Sequence, residues 1–136
     1  MADAPLTIFQ VAGRAMSAQL VRMNTVASNL ANVGSVAGSA EEAYHAIKPV
    51  FRTALNQAQG LATVDVQQIV TAGSDPVKRY DPGNPVADKD GNVWESGVDE
   101  TRELVDMLET ARTYQNNVEV MQTAKSLTLD TLKLGK

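Results

Sequence analysis

The residue types that do covalent or acid-base chemistry are sparse in this chain and poorly arranged for it. His45 is the only histidine, and no set of metal-ligand residues stands at ligand spacing around it. It reads as an ordinary structural or exposed side chain. Asp88-Lys89-Asp90-Gly91-Asn92 resembles the start of a calcium loop, but with Asp88 as position one the glycine falls at position four and Asp99 at position twelve. A calcium loop of the EF-hand type needs glycine at six and glutamate at twelve, so the stretch reads as a turn. Glu41-Glu42 and Asp99-Glu100 are paired acids at a loop and at a helix start. No G-x-S-x-G, P-loop or dinucleotide-binding glycine pattern is present. Cysteine is absent, which removes thiolate chemistry, disulfides and cysteine metal sites. The expectation is a non-enzymatic protein without a cofactor or metal.

The side chains that stand out are amides. Asn24, Asn29 and Asn32 lie in the last turns of a stretch that otherwise reads as helix, where asparagine is a poor helix former. They serve either as caps on a fraying end or as hydrogen-bonding groups at a helix interface. That stretch runs from Leu6 to Val33. Phe9, Gly13, Met16, Leu20, Met23, Ala27 and Leu30 recur at intervals of 4, 3, 4, 3, 4 and 3, a heptad seam over about three repeats. The other side carries Ser17, Gln19, Asn24, Thr25, Ser28, Asn29 and Asn32, and its only charges are Arg14 and Arg22. A helix face that is polar but nearly uncharged is suited to contact with protein on several sides. Pro5 is placed for the first helical turn and Gly34 for a left-handed C-terminal cap.

A second helix is expected from about Val98 to Leu132 or beyond. Leu104, Leu108, Ala111, Tyr114, Val118, Met121, Ala124 and Leu127 step by 4, 3, 3, 4, 3, 3 and 3. Acids cluster at its start and Lys125, Lys133 and Lys136 at its end, matching the helix dipole. Leu127, Leu129, Leu132 and Leu134 make an apolar tail, which implies burial against something. Between the helices, 34–43 reads as a loop or flexible arm, and 45–53 as a strand pair with Pro49 marking an edge or a break. A loop follows over 54–60. Leu61–Ala72 reads as a strand with Ala62, Val64, Val66, Val70 and Ala72 on one face. A hairpin is expected around Asp90-Gly91, joining Val86-Ala87 to Val93-Trp94, with Trp94 anchoring this region on the helices. The fold class is therefore mainly α with a small β-rich middle. Its segments are an N-terminal helix (1–33), a middle (34–97) and a C-terminal helix (98–136). The two helices are expected to pair as an antiparallel coiled-coil-like unit.

At 136 residues the chain is one domain's worth, with 43% hydrophobic residues but only 4% aromatic. A net charge of −4 gives no electrostatic basis for nucleic-acid binding. No apolar run approaches the roughly 20 residues that span a bilayer, and the acidic start, with Asp3, lacks the basic region of a cleavable secretory signal.

Two motifs carry a family resemblance. Ala27-Ser28-Asn29-Leu30-Ala31-Asn32 after a long N-terminal helix, and Thr113-Tyr114-Gln115-Asn116-Asn117 with Met121 near the end, resemble the signatures of bacterial flagellar rod and hook axial proteins. Lys48-Pro49-Val50-Phe51, Asp75-Pro76-Val77-Lys78-Arg79-Tyr80-Asp81-Pro82 and the ending Thr131-Leu132-Lys133-Leu134-Gly135 are similar to the proximal-rod members. Asn84, Asn92 and Ser96-Gly97 depart from the pattern, where histidine, an aromatic residue and Pro-Asn are usual. The resemblance implies a structural rod subunit of the basal body that spans the periplasm and transmits torque from motor to hook. It implies export through the flagellar type III apparatus without signal cleavage. Its partners would be copies of itself, other rod subunits, and adjacent adaptor and distal rod proteins, with no nucleic acid and no membrane insertion. The residues expected at the helix-pairing and assembly faces are Phe9, Met16, Leu20, Met23, Ala27, Asn29, Leu30 and Asn32, with Leu104, Leu108, Ala111, Tyr114, Gln115, Val118, Met121 and Leu127. A cytosolic helical adaptor or chaperone-like module is the rival reading.

Overall fold

The computed structural model describes residues 7–135. The chain forms α1 (Ile8–Ala31), β1 (Val36–Ala37), β2 (Ile47–Asn56), β3 (Leu61–Thr71), β4 (Val77–Tyr80), β5 (Asn92–Glu95) and α2 (Glu100–Leu134). α1 starts where a reciprocal cap is available. The Thr7 hydroxyl accepts from the Gln10 amide at 3.2 Å, and the Gln10 carboxamide accepts from the Thr7 amide at 3.1 Å. The expectations for Pro5 and Leu6 lie outside the described residues. At the other end Gly34 does not take the expected left-handed conformation; among the described residues only Gly60, Gly73 and Gly91 have positive φ. The physical reason is a distant cap. The Ser96 hydroxyl lies 2.7 Å from the Asn32 carbonyl and 2.8 Å from that of Val33, and the Ser96 amide donates to Ser35 O at 3.0 Å. Those terminal carbonyls need no glycine turn to be satisfied. Proline at position 96 would have neither the hydroxyl nor the amide.

α2 starts on Asp99, whose side chain accepts from the Arg102 amide at 3.1 Å, and it has Glu100 and Glu103 in its first turn and Lys133 in its last. At 35 residues it is about 52 Å long, against about 36 Å for the 24 residues of α1.

The middle differs from expectation in three places. First, β2 is one unbroken strand that includes Pro49, and the turn is confined to 57–60, where Gly60 has φ of 64°. Pro49 fits because Ile47 turns its amide and carbonyl away from β3, toward the Asn29 side chain. Pro49, two residues on, shares that outer edge, where a missing N–H removes no ladder bond. Second, the alternation in β3 breaks. Val50 pairs with Gln68 but Phe51 with Val66, leaving Gln67 as the extra residue of a bulge. Val70 therefore lies opposite Lys48, on the other face from Val64 and Val66. Third, β5 does not pair with Val86-Ala87. It lies between β4, with Tyr80 opposite Asn92, and β1, with Ala37 opposite Trp94. The Asp88 carboxylate accepts from the amides of Asp90 at 2.9 Å and Asn92 at 2.8 Å, which turns the chain straight into β5. The stretch expected as loop or arm contributes β1.

The interior is small and polar. Ala12, Ala18, Val26, Ala43, Ala46 and Val93 are buried, and with them Thr25, Asn29, Thr63, Ser96, Glu103 and Thr110. Trp94 is not the buried anchor of its strand. Its neighbour Val93 is, at 0% exposure, while Trp94 is half-buried with the Lys78 ammonium 5.8 Å from its ring centre. On β3 it is Thr63 that is buried, and the adjacent Asp65 meets Arg14 of α1 at 3.4 Å. The apolar face with Val64, Val66, Phe51 and Leu55 is the opposite one, turned away from that contact.

A Cβ at Gly97 would come within 2.3 Å of the Ser74 carbonyl oxygen and 2.5 Å of that of Asp75. Gly97→Ala is expected to lower stability by about 2 kcal/mol or more. Gly13→Ala, at a helical position with open space around it, is expected to raise stability by about 0.5–1 kcal/mol. Urea unfolding of both variants checks the contrast.

Candidate assembly surface

The two helices pack against each other and run antiparallel: Asn29 meets Glu103, while Arg22, two turns earlier in α1, meets Asp106 and Glu109. The contact is made by polar groups. Asn29 is 1% exposed and all four hydrogen-bonding positions of its amide are used. Nδ2 donates to Ile47 O at 3.0 Å and to the Glu103 carboxylate at 3.1 Å. Oδ1 accepts from the Ile47 amide at 2.9 Å and from the Tyr44 hydroxyl at 2.8 Å. Tyr44 in turn accepts from the Ser28 hydroxyl at 3.0 Å. One side chain thus joins α1, the edge of β2, the segment before β2 and α2. Toward Ile47 it acts as a short strand would, one donor and one acceptor against the backbone.

Farther along the seam Arg22 bonds Asp106 and stands 3.7 Å from Glu109. Thr25 and Thr110 are buried, with hydroxyls bonded to the Arg22 and Asp106 carbonyls of their own helices. Ala18, Arg22, Thr25 and Asn29 repeat at 4, 3 and 4, the same period as the apolar seam read from sequence but on another face.

Of the residues expected at the pairing and assembly faces, only Asn29 is buried. Phe9, Met16, Met23, Leu30, Asn32, Tyr114, Val118 and Met121 are half-buried. Leu20, Ala27, Leu104, Leu108, Ala111, Gln115 and Leu127 are exposed, with Leu20 at 44%, Leu108 at 72% and Leu127 at 63%. The apolar seam is therefore not the principal contact inside one chain. Tyr44, Glu103, Arg22 and Asp106 are the contact residues that pattern reading passed over. Arg22 had a signal: it is one of two charges on an otherwise neutral helix face.

Asp106 and Glu109 also line a cleft of about 390 Å³ bounded by α1, β2 and the start of α2. No cluster of three or more metal-ligating side chains occurs among the described residues. The His45 ring Nε2 bonds the Ala40 carbonyl at 3.1 Å, a structural contact. No helix among the described residues is long and apolar enough to cross a membrane.

Comparison with known proteins follows the two helices. Residues 9–38 match the model of the flagella basal body rod protein family, and residues 89–134 match that of the flagellar basal body rod FlgEFG protein C-terminal region. The chain is 44% identical over 131 residues to the flagellar basal-body rod protein FlgC of Yersinia enterocolitica, covering 96% of this chain and 98% of that one. It is 41% identical over 131 residues to that of Salmonella typhimurium, again covering 96% and 98%. To that of Agrobacterium fabrum it is 31% identical over 128 residues, covering 93% and 92%.

Asn29→Ala would strand the Ile47 amide, the Tyr44 hydroxyl and a buried carboxylate. The expected loss is about 3 kcal/mol, and Tyr44→Phe alone is expected to lose about 1 kcal/mol. A double-mutant cycle by chemical denaturation is expected to show coupling of about 0.5–3 kcal/mol between the two.

Proposed function

The chain belongs to the family of the flagellar basal-body rod protein FlgC and is a structural subunit of that rod, not an enzyme; we propose that it assembles through the faces its own fold leaves outward. One observation carries this reading. The specific bonds within the chain are polar, while large apolar side chains at helical spacing stay exposed along α2 and exposed or half-buried along α1. Leu104, Leu108, Ala111 and Gln115 share one exposed stripe of α2, on the side away from Glu103 and Thr110. Met16, Leu20, Met23 and Ala27 share a stripe of α1 outside the Asn29 seam.

These stripes pack between subunits as coiled-coil-like pairs, α1 of one subunit against α2 of the next. Each leucine buried there contributes roughly 1.5–3 kcal/mol. Residues 1–33 and 98–136 form the axial core, and 34–97 is a middle region attached through Asn29. The tail leucines of α2 extend the apolar surface along the rod. Neighbours are copies of this chain, other rod subunits, and the adaptor and distal rod proteins at either end. The subunit reaches this position through the flagellar type III export apparatus, without signal cleavage, and spans the periplasm. Torque from motor to hook passes through these helix contacts.

Leu20→Asp and Leu127→Asp alter exposed side chains, so the isolated proteins are expected to unfold within about 0.5 kcal/mol of the parent. In cells lacking the native chain, both are expected to abolish swimming and to disappear from isolated basal bodies while remaining expressed. Normal motility in either variant would count against the reading.

A further inference from the structure

The two sheets treat their open edges differently. β4 is an edge strand, and the Asp81 amide next to it donates to the Gly91 carbonyl at 2.9 Å. Alternation from that bond turns the backbone groups of Lys78 and Tyr80 outward. Pro76 and Pro82, at the next positions of the same parity, have no N–H, and the strand between them carries Lys78 and Arg79. Prolines and charges of this kind keep a bare edge from recruiting another strand. The outer edge of β2 is built otherwise. Beyond Pro49, the residues that turn their N–H and C=O groups away from β3 are Phe51, Thr53 and Leu55. None of those backbone groups has a hydrogen bond among the described residues. No proline or charge falls at these three positions, and Phe51 and Leu55 are 36% and 62% exposed. Among the described elements only α1 packs on this hairpin, and its Arg14 reaches the opposite face at Thr63 and Asp65. Two strands by themselves make a marginal sheet.

We propose that the outer edge of β2 takes an extended segment of a neighbouring axial subunit as a third strand. Phe51, Thr53 and Leu55 offer donors and acceptors in alternation, and an extended backbone is the group that matches them along their length. The incoming segment carries apolar side chains at every second position, which continue the face of Phe51, Leu55, Val64 and Val66. It is not β2 of a second copy. Such a pair would be isologous and would close on itself, whereas a rod must continue in one direction. The inference rests on the rod-subunit reading and adds a backbone contact outside the helix stripes.

The test separates backbone pairing from side-chain contact. Thr53→Pro removes one outward N–H and leaves the bonds to β3 in place, and Pro49 already occupies the same edge. Thr53→Val keeps the N–H. In flagellated cells lacking the native chain, Thr53→Val is expected to enter isolated basal bodies at the parent level. Thr53→Pro is expected to enter them about tenfold less, with an unchanged melting temperature in isolation. In parallel, p-benzoylphenylalanine replaces Leu55, cells are irradiated, and the peptide crosslinked in isolated basal bodies is mapped. The expected peptide comes from another axial chain and has apolar residues at alternate positions with no proline among them. Parent-level entry of Thr53→Pro, or an equal loss with Thr53→Val, would overturn the proposal. So would a crosslink to lipid, glycan or β2 of a second copy, or no crosslink in basal bodies that contain the chain. If Thr53→Pro melts lower than the parent, the crosslink map decides alone. Each of these outcomes leaves the rod-subunit reading standing. Absence of the parent chain from basal bodies would overturn both.

Discussion

The fold turns on the amide of Asn29. A buried carboxamide is costly unless every donor and acceptor is satisfied, and here each has a partner on a different part of the chain. The bond to Ile47 sets where β2 begins along α1. The bond to Glu103 sets where α2 lies along α1. The bond from Tyr44 ties in the segment between the first small sheet and the hairpin. Shifting either helix by one residue would strand several buried groups together, so one side chain specifies register for four elements. Such a group contributes little net stability over apolar packing, but it selects one arrangement.

That choice has a consequence for where the apolar residues go. The seam between α1 and α2 is occupied by Asn29, Thr25, Arg22 and their partners, and the interior is otherwise alanine and valine. Leu20 of α1, the leucines of α2, and Phe51 and Leu55 on the apolar face of the β2–β3 hairpin remain outside. For an independent globular domain this distribution would be a liability. For a subunit of a continuous helical assembly it separates two tasks. Polar groups define the shape of one chain, and the apolar groups are left for the contacts proposed between chains. α2 has no glycine or proline until Gly135 and begins on a firm cap, so it presents its surface as one rigid rod. Asn29 and Ser96 tie α1 to the middle region, Asn29 through the Ile47 backbone and Ser96 through the Asn32 and Val33 carbonyls.

Much of this was legible. The places of both helices in the chain, their antiparallel sense and the strand over 61–71 follow from periodicity and punctuation, though the helices, at 24 and 35 residues, do not match in length as expected. The errors have specific causes. Gly34 looked like a cap because Ser96, sixty-two residues away, could not be seen reaching the same carbonyls. Pro49 left an edge and a break equally open because the two are identical in sequence, and the structure shows the edge. Trp94 looked like an anchor because size suggests burial, yet strand alternation put Val93 inside. The apolar stripe of α1 left open whether its partner lies in the same chain or a neighbouring one, because hydrophobic periodicity reports that a face is to be buried, not by which molecule.

By itself, then, the sequence determined the elements and their kind: two long helices with apolar stripes, short strands between, and amides in place of charges near the end of α1. These depend on local chemistry, which needs no knowledge of distant residues. Only the tertiary structure decided which face of each helix turns inward. That choice is made by the partners of Asn29 and Arg22, which lie 15 to 87 residues away along the chain. The polar seam is specified because buried amides and charges must find partners, whereas an exposed leucine leaves no polar group unpaired.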